Sequence, residues 1–95
     1  MLLAAPMVMS SLTGFAYEGS QYAGEAKITL EQAEAIAMKS YPGTIVEIEL
    51  EHKLGGSGLR YSFDIRAHHN TQELAVDAKT GAILKNSRES KNDDD

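Results

Sequence analysis

Thr29–Tyr41 reads T-L-E-Q-A-E-A-I-A-M-K-S-Y and holds a helix start, an apolar stripe and a stop within one short segment. Thr29 suits the N-cap, Gln32 three residues on completes a capping box, and Glu31 and Glu34 place negative charge near the positive end of the helix dipole. Pro42-Gly43 ends the run. Leu30, Ala33, Ile36, Ala37 and Tyr41 recur at three- and four-residue spacing, so one side is apolar while Glu31, Gln32, Glu34 and Lys39 lie largely elsewhere. A helix of this length is marginal alone in water, so its stripe must cover a surface built by the rest of the chain.

That surface follows directly. In Thr44–Leu54, Val46, Ile48, Leu50 and Leu54 alternate with Glu47, Glu49, Glu51 and Lys53, the pattern of a half-buried strand. Gly55-Gly56-Ser57-Gly58 reads as a turn, and Leu59, Tyr61, Phe63, Ile65 and Ala67 alternate against Arg60, Ser62, Asp64 and Arg66. The expected register sets Leu54 opposite Leu59, His52 opposite Tyr61, Leu50 opposite Phe63, Ile48 opposite Ile65 and Val46 opposite Ala67, which keeps every apolar residue on one face. His68-His69-Asn70-Thr71 forms the next turn. Gln72–Asp77 then returns with Leu74 facing Ile65 and Val76 facing Phe63, and Arg66 is expected between Glu47 and Glu73 on the opposite face. After Ala78-Lys79-Thr80-Gly81, a short strand Ala82–Lys85 sets Ile83 opposite Val76.

The expected fold is α+β: one N-terminal helix packed on a four-stranded antiparallel β-meander. Its core is expected from Leu30, Ile36, Val46, Ile48, Leu50, Phe63, Ile65, Leu74, Val76 and Ile83. Ala33 and Ala37 bring the helix axis close to the sheet.

Composition narrows the function. The 95 residues, 42% hydrophobic, suit a single small domain. A formal charge of −5 disfavours nucleic acid or an anionic membrane surface as partner. The chain has no cysteine, which rules out disulfides, thiolate catalysis and Cys-ligated zinc. Residues 1–16, an apolar run ending Gly14-Phe15-Ala16, resemble a secretory signal and its cleavage site, although no Lys or Arg precedes Lys27. The run is too short for a spanning helix, so no stable membrane insertion is expected once the signal is cleaved. Residues 17–27 read as a flexible leader, 28–85 as the domain, and 86–95, ending Asp93-Asp94-Asp95, as a polar acidic tail.

No catalytic constellation assembles from these residues. Neither HExxH nor GxSxG occurs, and Gly55–Gly58 lacks the Lys and following helix of a phosphate loop. The chain is therefore not expected to be an enzyme, and no cofactor is expected. His52 and the His68/His69 pair fall at opposite ends of the first hairpin, roughly 20 Å apart at about 3.3 Å per residue, and cannot share an ion. His68 and His69, with the acidic groups, are the candidate metal ligands, against the plainer reading of a polar turn. Asp77, beside a turn closing at Gly81, is expected to accept backbone N–H bonds.

The helix with Ala33 and Ala37, Tyr41-Pro42-Gly43 at its end, the Val46–Leu50 strand, Tyr61-Ser62-Phe63-Asp64-Ile65 and above all Val76-Asp77-Ala78-Lys79-Thr80-Gly81-Ala82-Ile83 together resemble a PepSY domain, from Ile28 to about Leu84. The resemblance implies a secreted or periplasmic module that, in propeptides of thermolysin-like metallopeptidases, accompanies and restrains the enzyme. No peptidase domain follows Leu84 here, so restraint is expected to act on a separate protein, a peptidase or another envelope or membrane-associated protein. The partner-binding residues are expected on the uncovered sheet face, Glu47, Glu49, Glu51, Arg60, Asp64 and Arg66, or along the Thr44–Leu54 edge. A periplasmic metal- or small-ligand-binding protein is the alternative.

Overall fold

The structure, a computed structural model, describes residues 16–89. The signal-like run up to Phe15 and the Asp93–Asp95 tail lie outside the described residues. A 3₁₀ helix at Ser20–Glu25 precedes α1 (Leu30–Ser40), followed by β1 (Thr44–His52), β2 (Leu59–Ala67), β3 (Asn70–Asp77) and β4 (Ile83–Arg88). The strands form one antiparallel sheet in the order β1-β2-β3-β4, with α1 laid over β2 and β3, so the fold is the expected α+β helix-on-meander. No helix among the described residues is long and apolar enough to cross a membrane.

The helix ends follow from local chemistry. Thr29 Oγ1 accepts from the Gln32 N–H at 3.0 Å, and the Thr29 N–H donates to Gln32 Oε1 at 2.8 Å, closing the capping box. Tyr41 is the C-cap, its N–H bonded to the Ala37 carbonyl. Ala33 and Ala37 are fully buried, while Leu30, Ile36 and Tyr41 flank them against the core.

The strand registers differ from expectation by two residues. In β1–β2, His52 faces Leu59, Leu50 faces Tyr61 and Ile48 faces Phe63. The connection is therefore the longer Lys53–Gly58 loop, which leaves Leu54 94% exposed. A bulge between Ile45 and Glu47 then brings Ile45 opposite Ile65 and turns Val46 outward, 53% exposed, instead of into the core. In β2–β3, Phe63 faces Leu74 and Tyr61 faces Val76 across the two-residue His68-His69 turn. A slip of two preserves the face, so alternation alone could not detect it. Val76 does face Ile83 as expected, but a bulge between Ala75 and Val76 lets β4 run on to Arg88, and Ile83 stays 38% exposed at the edge. The core is Leu50, Leu59, Tyr61, Phe63, Ile65, Leu74 and Val76 beneath Ala33, Ala37 and Ala78.

The stretch read as a flexible leader is folded onto the sheet. Glu18 forms a parallel bridge with Glu49, its carbonyl accepting the Leu50 N–H at 2.8 Å. Tyr17 and Tyr22 pack against the core. Further along, the N–H groups of Lys27 and Ile28 both donate to the Ala78 carbonyl, and the Tyr61 hydroxyl donates to the Ile28 carbonyl at 3.1 Å. Gly19 makes the approach possible: its φ is 88°, and a Cβ there would overlap the Leu50 carbonyl oxygen.

Candidate functional site

Because α1 covers one face of the sheet, the other stays open, and its side chains are those out of phase with the core. Pairing across strands arranges them in rows. Glu51 lies opposite Arg60. Glu49 and Ser62 continue through Ala75 to Lys85, and Glu47 and Asp64 continue through Glu73 to Ser87. Arg66, with Thr44 and Thr71 as neighbours, sits at the far end and donates from Nη1 to Thr71 Oγ1 at 3.3 Å. A hollow of about 290 Å³ on this face is lined by Glu47, Glu49, Glu51, Arg60 and Asp64 among the expected residues. Arg66 is not part of it. Ser62, Glu73 and Lys85 are, and lie outside the expected partner-binding set.

The two-residue register shift changes the electrostatics. Arg66 was expected between Glu47 and Glu73, but Asp64 occupies that place, giving three carboxylates abreast on β1, β2 and β3. Directly opposed positions hold Cβ atoms about 4.5–5.5 Å apart, so like charges there repel. Burial, then a hydrogen bond with Glu47 and the charges of Glu47, Glu73 and Glu89, push the Asp64 carboxyl up to about 6. Burial, then Glu51, Glu18 and Glu47, raise Glu49. Compensation is local: Lys85 Nζ donates to Glu73 Oε1 at 2.7 Å, and Ser62 Oγ donates to Glu51 Oε2 at 2.9 Å. Arg60 Nη2 donates to the Leu54 carbonyl at 3.1 Å, which turns its charge toward the Lys53–Gly58 loop and away from the carboxylate row.

Asp77, in line with Arg60 but buried, has the opposite environment. Its Oδ1 accepts from the Lys79 and Thr80 N–H groups and from Ser57 Oγ, and its Oδ2 accepts from the Ser57 N–H at 2.7 Å. Burial alone would raise this carboxyl, but the hydrogen bonds outweigh it and hold it at about 2. Asp77 thus serves the turn, as expected, and also ties the β3–β4 turn to the β1–β2 loop. Gly56 allows that closure, since a Cβ there would overlap Asp77 Oδ2.

The histidines stay apart. His68 and His69 are the two loop residues of the β2–β3 hairpin, both exposed, while His52 Nε2 lies 2.8 Å from Glu25 Oε1 with the Tyr22 ring edge-on at 4.5 Å between centroids. Among the described residues, no three His, Asp or Glu side chains come together in a metal-holding group.

The site is therefore a polar, mostly acidic sheet face opposite a helix-covered core, a shape suited to contact with another macromolecule. Neither the curated proteins nor the solved structures provide a match to this chain. Residues 27–86 match the family described as PepSY: Peptidase propeptide and YPEB domain. The match takes in α1, β1 to β3, the Asp77 turn and the first part of β4, over half of the chain, and the protein belongs to the PepSY family.

Proposed function

We propose that the protein is a secreted or periplasmic, non-catalytic binding module that restrains a peptidase or another envelope protein in trans, using the open face of its sheet. The observation that carries this reading is the Glu47–Asp64–Glu73 row, three carboxylates side by side on a face that no element among the described residues covers. Opposed like charges destabilise an isolated sheet, so their presence on the exposed face is explained by a cationic surface that neutralises them on binding. The membership of the chain in a peptidase propeptide family supports a peptidase as the target class. Export would be directed by residues 1–16.

Inhibition of a separately prepared thermolysin-like metallopeptidase tests the proposal. Saturable inhibition is expected, weakened by salt and by Asp64→Lys with Glu47→Lys. Full peptidase activity at every concentration of the added chain would remove this target class.

A further inference from the structure

A four-stranded meander has two edges, and here their charges are opposite. β1 carries Glu47, Glu49 and Glu51, whereas β4 carries Lys85 and Arg88. Because successive strands alternate in direction, a second copy placed beside the first in the same orientation would set its β1 antiparallel to β4 of its neighbour. The sheet would then continue with both open faces on the same side. Lys85 would lie on the face that bears the neighbour's β1 glutamates. Such a contact joins two different surfaces, so it does not close on itself and would propagate.

The backbone groups for that contact exist at both edges. On β4 the Glu89 N–H points inward to the Thr71 carbonyl, so alternation turns the polar groups of Asn86 and Arg88 outward. They have no hydrogen-bonded strand neighbour among the described residues. On β1 the outward N–H of Leu50 is already taken by the Glu18 carbonyl, at the close approach that Gly19 permits. The 3₁₀ helix then crosses to His52, where Tyr22 and Glu25 meet the imidazole.

We infer that the segment from Tyr17 to Ala26 is an edge guard: it occupies the place on β1 at which β4 of a second copy would add, and so prevents head-to-tail assembly of the sheets. Lys85 on the β4 edge complements the glutamates of the β1 edge, and the guard is the element that keeps them apart.

Sedimentation velocity on the full 95-residue chain over a concentration series tests this. The wild type is expected to sediment as a monomer. Gly19→Val, which drives the segment off Leu50, is expected to gain larger species that grow with concentration without a fixed size. Adding Lys85→Glu in that background, which sets like charges against the neighbour's glutamates, is expected to remove them. Far-UV circular dichroism verifies that each variant is folded. If Gly19→Val does not fold, Tyr22→Ala with Glu25→Ala loosens the same segment without altering β1 or β4 and takes its place. A wild type that already assembles, a folded and loosened variant that stays monomeric, or assemblies indifferent to reversal of the Lys85 charge would each overturn the inference.

Discussion

Two aspartates on one sheet face respond to pH in opposite directions. Asp77 is held at about 2 against an ordinary 3.8, so it stabilises the fold above its unfolded value, and that contribution disappears as pH falls from about 4 toward 2. Asp64, raised to about 6, binds its proton more tightly in the folded state, so stability is gained as pH falls from neutrality through 6 toward 4. Glu34 and Glu49, both raised first by burial, act in the same direction as Asp64. Urea denaturation across pH is therefore expected to show maximal stability at about pH 4–5. Asp64→Asn should stabilise the chain at pH 7 by about 1–2 kcal/mol, discounted for the solvent-facing site, and should flatten the curve between pH 7 and 5. Asp77→Asn places an amide N–H against donors and is expected to cost about 2–3 kcal/mol at pH 7, with the difference narrowing near pH 2. The turn role of Asp77 is legible because Lys79 and Thr80 belong to its own turn, whereas its bonds from Ser57 on the β1–β2 loop are not. The role of Asp64 is not legible, because its neighbours depend on the pairing of three strands.

At the scale of elements, what was local was readable and what depended on turn geometry was not. The Thr29–Gln32 capping box, the Ala33/Ala37 contact and the stop at Tyr41 all follow from residues within four positions of one another. Thr29→Ala is expected to lower stability by about 1 kcal/mol by freeing the Gln32 N–H, measured by thermal or urea unfolding. Hairpin register is a different matter, since alternation fixes which face a residue occupies but leaves pairing free to slip by two. In the β2–β3 hairpin the deciding feature is the His68-His69 turn, where His68 has φ 62°, a conformation usually given to Gly. No glycine marks it in the sequence, and a four-residue turn kept the same apolar face. His68→Gly is expected to stabilise the hairpin by on the order of 0.5 kcal/mol, and His68→Val to destabilise it by more than that. A shift in the opposite direction would show that the turn does not hold this strain.

For the molecule as a whole, the helix, the leader and the two sheet faces divide the work. α1 spends its apolar stripe on β2 and β3, so its role is to close the core. The leader could not be read as folded, because its anchors, Gly19, Tyr17 and Tyr22, show no periodicity and act only against β1 and the core already in place. With the β1 edge covered, the proposed partner surface is the acidic open face, consistent with a formal charge of −5 on the chain. Strand addition at Thr44–Leu54, an alternative raised by the sequence, meets an edge that Glu18 already occupies at Leu50. The most direct measurement is an amide chemical-shift map of the isotope-labelled chain with and without a thermolysin-like metallopeptidase, the proposed target class. The open-face reading predicts shifts clustered at Glu47, Ser62, Asp64, Glu73 and Lys85 with α1 unperturbed. A footprint centred on α1 or on the His68-His69 turn, with β2 and β3 unchanged, would contradict it.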